Sequence, residues 1–406
     1  MKGKQRLWTR DFTIITLGTV VSMLGNAVSG FAISLLVLDY TGSVFLYTLY
    51  MVVYSLPRII MPLVAGPFLD IYSRKRAIYT LDFISAGLYL GIYLLLDAGL
   101  FSYGPFLGLC FVIGCIDSTY EVSYESLYPT LIPEGCFTKA YSISSLIYPF
   151  SVVMIPLATF VYERVGLEPL FAFNAATFLV AAGFETRIKG GDSHVRSEHG
   201  SLAQEFREGL AYLKSEPGLM IITGYFFFSM LTGSGANALW LPYFKSLPGN
   251  GLGIYVWVMA AGVLGRLVGG LVHYYIRYNV KYKFAIALTV YISVCFFEGG
   301  FVFMPVPIML AMCFASGFLS VNSYNIRISA TQSYVPDSCR ARFNGVFLMF
   351  TTAGSILGQL AAGALGEFLP LRGVIAGLQV ISLASVFAIM YRGRAKVKPI
   401  YNREVQ

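Results

Sequence analysis

The stretch PFLGLCFVIGCIDSTYEVSYESLYPTL, residues 105–131, decides how this chain folds. Apart from Asp117, Glu121 and Glu125 it carries no charge, and it exceeds the ~20 apolar residues that a helix needs to cross a bilayer. At ~3.6 residues per turn and ~1.5 Å rise per residue, carboxylates spaced four apart form one stripe on one helix face, ~12 Å from first to last. An ionisable side chain at that depth costs several kcal/mol unless it is paired, hydrated or neutralised. Three on one face are therefore a functional signal as well as a structural one.

The rest of the chain repeats the pattern. Its 406 residues are 56% hydrophobic, 16% aromatic and 12% charged, against about 25% charged in a typical soluble domain. Apolar runs of ~20 residues recur along nearly the whole length, which predicts an all-α polytopic membrane protein with no room for a substantial soluble domain. About twelve spans are expected: 12–38, 46–69, 77–96, 105–128, 140–162 and 170–184, then 219–244, 252–276, 284–303, 307–326, 343–368 and 374–391. A charged stretch, 185–217, lies between the sixth and seventh. The expected organisation is a six-helix bundle over 1–186, a cytosolic linker over 187–217 and a second six-helix bundle over 218–406.

Charge placement orients the chain. On this map 24 of the 29 Lys and Arg fall before the first span, in the even-numbered loops or after the last span, whereas only Arg164, Lys245 and Arg372 fall in odd loops. The positive-inside rule then puts both termini and the middle loop in the cytosol of a multi-pass cell-membrane protein. The net charge of +8 is thus a topology signal, and with no basic soluble face a nucleic-acid partner is excluded. The first span is too long for a cleaved signal segment and is expected to stay in the membrane. Within 201–214, Leu202, Phe206, Leu210 and Leu213 share one side, the pattern of an amphipathic helix lying on the cytosolic membrane surface.

Cys110, Cys115, Cys136, Cys295, Cys313 and Cys339 form no CxxC pair or metal-ligand spacing, so they read as small membrane-core hydrophobes. Of three histidines only His273 lies near a span, which argues against zinc. No phosphate-cradling loop, nucleophile triad or hydrolase motif is present. The expectation is a protein that is not an enzyme, with no cofactor and no metal, and not driven directly by ATP.

The halves echo each other. Residues 128–134, YPTLIPE, are followed by Lys139, and residues 331–337, TQSYVPD, by Arg342, the two sets being 203 residues apart. Repeated halves are common in secondary transporters, whose substrate site lies near the midplane. The loop Gly66-Pro67-Phe68-Leu69-Asp70-Ile71-Tyr72-Ser73-Arg74-Lys75-Arg76 resembles the signature loop of the major facilitator superfamily. Thr41-Gly42-Ser43, Phe173 to Phe178 (FNAATF), Leu241-Pro242 and the run from Glu205 to Leu219 look most like its bacterial drug and macrolide efflux branch, which also contains siderophore exporters. Two features depart from proton-coupled members: Ile113 stands where an Arg is typical, and 147–159 carries Pro149 and Pro156 in place of a Gly-rich antiporter motif.

The resemblance implies that the fourth span lines a central cavity and that Gly66, Asp70, Arg74, Lys75, Arg76 and Asp82 form a cytosolic gating network. Asp117 falls near the midplane, with Glu121 and Glu125 progressively nearer the cytosol. The stripe can attract a cation, exchange protons or do both, since buried carboxyls can titrate near neutral pH. Its structural alternative is neutralisation of bases, Asp117 by Arg58 and Glu125 by Arg74 to Arg76. Arg58 and Arg266 occupy similar places in spans two and eight and can serve as gating charges or anion contacts, with no partner evident for Arg266, and Glu298 is expected near the outer water. Tyr120, Tyr124, Phe226, Asn237, Trp240, Asn322, Tyr324 and Asn325 are candidate cavity residues, because polar and amphipathic groups in apolar spans prefer the protein interior; an aromatic, acidic cavity suits a lipophilic cation.

The expected function is a secondary-active, proton-coupled exporter of a small amphipathic, cationic compound by alternating access, a monomer with protons and membrane lipids as partners. The alternatives are an exporter or importer of an anionic solute such as a siderophore, and, in another class, a non-transporting membrane sensor or lipid scramblase.

Overall fold

In the computed structural model the described residues are 7–61, 73–133, 136, 139–141, 143, 144, 147, 153–190, 202–275 and 279–403, less the side chains of 202, 203, 205, 273–275, 337, 338 and 341. Among them there are no strands, and ten helices are long and apolar enough to cross a membrane. Of the expected fifth span the helix Met154–Val165 is described, with further helical residues at 139–141, 143, 144 and 147, and the sixth is the helix Glu168–Glu185. Chain contacts divide the protein into two units, 1–42 with 53–198, and 43–52 with 199–406.

In the first unit, span one is the helix Arg10–Thr41. Thr9 Oγ1 accepts from Phe12 N at 3.3 Å, capping an otherwise orphan donor. Gly42 ends the helix at φ 62°, its N–H bonded to Leu38 O at 3.1 Å; a left-handed C-terminal residue needs no Cβ, which is the physical content of the Thr41-Gly42 motif. Gly25 gives span one its seat on span six. A Cβ there would collide with Thr177 Oγ1 and Asn174 Oδ1. In the space so left, fully buried Asn174 donates to Ser29 Oγ at 2.7 Å and Thr177 Oγ1 donates to Asn174 Oδ1 at 3.0 Å. The FNAATF segment is therefore a polar clasp in an apolar medium. Span three, Arg74–Asp97, packs along span six, with Tyr89 stacked on Phe178 at 5.6 Å.

Span four, Tyr103–Leu127, continues into the 3-10 turn Tyr128–Leu131. Gly114 lets it approach span two, because a Cβ there would strike the carbonyl of Tyr54. Span two covers 44–61 and its helix is interrupted at Leu56, just before Pro57, which lacks an N–H and clashes with the preceding turn.

The second unit is built on glycine-mediated crossings. Span seven is Pro217–Ala238, continued by Trp240–Lys245; span eleven is Asp337–Phe368. Gly354 and Gly358 bring their backbone onto the carbonyls of Phe227 and Leu231. Span eight, Gly251–Tyr275, and span ten, Val306–Tyr334, meet likewise at Gly265, Gly269 and Gly317. Small residues allow such approach where no hydrophobic effect drives helices together. Span nine is Lys283–Gly300, and span twelve, Leu371–Ser385, runs on as a wider π-helical turn, Val386–Tyr391.

Two readings change here. The linker helix, Leu202–Ser215, does not spread its apolar side on lipid: Leu213 is buried and Phe206 and Leu210 pack into the second unit's core. Gly209 permits this, since a Cβ would sit 2.8 Å from Arg342 O. The basic segment after span twelve also belongs to this core, as a helix over Arg394–Tyr401 with Val397, Ile400 and Tyr401 buried. Asn402 then closes span nine, accepting from Phe284 N at 2.9 Å and donating to Lys281 O at 2.9 Å.

Candidate functional site

The acidic stripe lies in the first unit and its members differ. Asp117 follows Gly114 by one turn and so faces span two, where Tyr54 Oη donates to Asp117 Oδ2 at 2.5 Å. Arg58, one turn further along span two, opposes it electrostatically. Glu121 is exposed, next to Asp117 in charge, and makes no hydrogen bond or ion pair among the described residues. Glu125 is exposed as well, and its electrostatic neighbour is Glu121. The expected pairing of Glu125 with the basic cluster is not formed among the described residues; Arg74 instead donates from Nη1 to Ser126 O at 3.3 Å, because the side chain reaches the end of span four at backbone level.

Beside the acidic stripe span four carries tyrosines. Tyr120 and Tyr124 are stacked at 6.3 Å and Tyr124 and Tyr128 at 5.1 Å. Thr19 of span one faces both Tyr120 and Tyr124. Tyr120 Oη also donates to Glu185 Oε1 at 3.2 Å.

Glu185 is the residue that sequence reasoning missed. It was expected at the start of the solvated linker, but it is the last residue of the span-six helix and is 0% exposed. The signal was present: Asn174, Thr177, Phe178, Ala181, Ala182 and Glu185 continue one buried face at spacings of three and four. Its carboxyl faces that of Asp82, itself 1% exposed. Asp82 is thereby removed from the expected gating network with Arg74 to Arg76: the ninth residue of span three points into the bundle, where span six meets it. Lys75 is half-buried and Arg76 exposed; Gly66 and Asp70 lie outside the described residues.

In the second unit Arg266 does have a counter-charge. Glu298 faces it electrostatically, and Glu298 is not at a water interface but half-buried, accepting from Ser316 Oγ at 2.8 Å and Gln379 Nε2 at 3.3 Å. Three spans thus converge on one carboxyl. A further cation of this unit is Arg327, which lies beyond the expected end of span ten at Ile326. The helix runs on to Tyr334, and the guanidinium lies over Phe226, Phe347 and Tyr324 at 4.9, 4.9 and 5.1 Å. Its Nε is buried without a partner, and no carboxylate among the described residues pairs with it.

Of the remaining candidates, Trp240 stands edge-on to Phe301 at 5.0 Å with Nε1 buried and unpartnered. Asn322 is buried, Nδ2 donating to Phe318 O at 2.7 Å. Asn325 is half-buried, whereas Asn237 and Tyr324 are exposed. Among the described residues no group of three His, Cys, Asp or Glu could hold a metal ion.

Comparison with known proteins gives a consistent picture. The family model for transmembrane secretion effectors matches residues 6–402. The chain is 25% identical over 302 residues to an uncharacterised MFS-type transporter, YkuC, of Bacillus subtilis (strain 168), covering 70% of this chain and 69% of that one. It is 24% identical over 278 residues to macrolide efflux protein A of Streptococcus pyogenes, covering 66% and 67%. A mutant of the nucleoside transporter NupG superposes with a TM-score of 0.70 at 17% identity, covering 93% of this chain and 99% of that one, which speaks to the fold alone.

Proposed function

The chain belongs to the transmembrane secretion effector family of major facilitator transporters, and from that premise we propose that it is a proton-coupled exporter of a small amphipathic, cationic compound, working by alternating access. The observation that carries the charge preference is Glu121: a carboxylate inside a span, exposed on its helix face, one turn from Asp117 and without an ion-pair partner among the described residues. An uncompensated intramembrane charge is retained for a ligand. Asp117, held by Tyr54 and opposed by Arg58, sets the field behind it, and Glu125 extends the acidic path. Tyr120 and Tyr124 supply ring faces that suit a lipophilic cation.

Similarity to a macrolide efflux protein supports the outward direction. In this reading both termini and the linker are cytosolic, the protein acts as a monomer in the cell membrane, halves 1–186 and 218–406 alternate around the linker, and Gly66, Asp70 and Arg74 to Arg76 govern closure. Proton flux into liposomes containing the purified protein, read with an internal pH dye while lipophilic cations are added, tests it. Cation-dependent flux that disappears in Asp117→Asn with Glu121→Gln supports it; no flux from the wild type with any cation, or an unaffected double variant, overturns the cationic assignment.

A second reading is favoured by Arg327. A guanidinium inside a span with no carboxylate partner can receive the carboxylate or phosphate of an anionic solute, such as a siderophore, in bidentate fashion. Arg266 is less suited, since Glu298 already opposes it.

A further inference from the structure

Asp82 and Glu185 stand apart from the acidic stripe in one respect: both are sealed from solvent, at 1% and 0% exposure. They come from spans three and six, packed along each other, and span one closes over them. Gly18 makes that closure possible, for a Cβ at that position would come within 2.7 Å of Glu185 Oε1.

The two carboxyls face each other within electrostatic reach. Two ionised carboxylates sharing a buried site repel and offer each other only acceptors, so one proton on the pair relieves the repulsion and supplies the missing donor. Among the described residues the single external donor is Tyr120 Oη, on Glu185 Oε1 at 3.2 Å, while Asp82 Oδ2 and Glu185 Oε2 are buried with no partner. The surroundings supply no compensating cation. Span four presents Tyr120 and Tyr124 to Glu185 and Asp117 to Asp82, which adds negative charge, and span one presents neutral Gly18 and Thr19. No Lys or Arg among the described residues pairs with either carboxyl. Asp117, by contrast, has Tyr54 as a donor and Arg58 as an opposing charge.

We propose that Asp82 and Glu185 together bind one exchangeable proton, held between them, and that this pair is the proton site of the transporter. The inference rests on the transport reading only for its coupling role. Release is simple in its balance: the O–H bond of the protonated carboxyl breaks, the proton passes to water, and two carboxylates are left in contact. Like charges so placed in a water-poor interior repel strongly, so the loss of the proton loosens spans three and six. Proton occupancy is thereby tied to helix packing within the first unit.

The test reads the proton directly. Infrared spectra of the purified wild type in nanodiscs, without substrate, are recorded through a pH titration in water and in heavy water, together with Asp82→Asn and Glu185→Gln made separately. The amide in each variant can donate to the remaining carboxylate, so the fold is expected to persist, and either variant alone suffices to assign the signal. The expected result is a protonated-carboxyl C=O stretch at neutral pH that shifts in heavy water, disappears on alkaline titration and is lost by one carboxyl equivalent in each variant. Absence of such a band from the wild type, or its survival undiminished in both variants, overturns the proposal. In liposomes that transport a cation, both variants are expected to lose proton flux while substrate still protects the protein thermally; undiminished proton flux overturns the coupling role. A wild type that transports no cation overturns the cationic-export reading and leaves the infrared result to decide the pair.

Discussion

The Tyr54 hydroxyl donates to Asp117 Oδ2 at 2.5 Å, across a helix crossing that exists because Gly114 places no Cβ between span four and the Tyr54 carbonyl. One position on each span therefore fixes the other, and the midplane carboxyl has its donor built in. Tyr54→Phe removes that donor. A hydrogen bond to a charged group contributes roughly 1.5–3 kcal/mol, so the variant is expected to lower the thermal midpoint in detergent. In an Asp117→Asn background the same change should cost much less, and a double-mutant cycle of thermal midpoints measures the difference. Additive effects would refute the contact.

Gly25→Ala presses a methyl into Asn174 and Thr177. Overpacking of this kind costs roughly 1–3 kcal/mol, and the buried thiol of Cys110 offers a readout, since a thiol-reactive dye reports its exposure on heating. Gly30→Ala, in the same helix with nothing near its Cβ, is the control. It is expected to be neutral or stabilising by up to about 1 kcal/mol.

The linker helix is held by packing more than by charge. Arg342 and Glu208 meet at 3.0 Å, but their side chains are 42% and 41% exposed, so Arg342→Ala is expected to cost under about 1 kcal/mol. Leu213→Ala, at a position 3% exposed, should cost roughly 2–5 kcal/mol. Limited proteolysis of the 202–215 helix ranks the two, and greater release by Arg342→Ala would reverse this account.

Arg327 separates the two cargo readings. Arg327→Leu keeps the aromatic surroundings of Phe226, Phe347 and Tyr324 while removing the guanidinium. For a cationic cargo, flux should fall by less than about threefold, equivalent to under 1 kcal/mol. For an anionic cargo it should be lost, and Arg327→Lys should rescue it poorly, since an ammonium cannot supply the planar bidentate fork. Counterflow of matched cationic and anionic probes makes the comparison.

Gly358→Ala is expected to be among the most damaging single changes in the second unit. The new methyl would strike the backbone carbonyl of Leu231, which cannot rotate away as a side chain does, so spans seven and eleven must separate. The outcome to look for is loss of folded protein by size-exclusion profile, whereas Gly233→Ala, with open space at its Cβ, should elute as the wild type does.

How much of this was legible beforehand differs from residue to residue. The stripe of Asp117, Glu121 and Glu125 was readable because carboxylates in a long apolar run are costly wherever they point. Glu185 was not recognised, although its helical phase with Asn174 and Ala181 was available, because a charge at the border of a polar linker is ordinarily solvated. Arg327 was lost in the same way, by ending span ten at its last apolar residue. Asp82 was placed by its sequence neighbours, Arg74 to Arg76, when its true neighbour lies about a hundred residues away on span six.

The sequence by itself determined that this is a polytopic α-helical membrane protein with acidic residues inside its fourth span. Those properties follow from transfer free energy and from the need to satisfy every backbone polar group within the segment, both local in the chain. Only the tertiary structure decided which charges are matched. Tyr54 with Asp117, Asp82 with Glu185, Arg266 with Glu298 and Arg327 among its rings each depend on helix rotation and on which glycines let two backbones meet, and these are set by contacts between segments far apart in sequence.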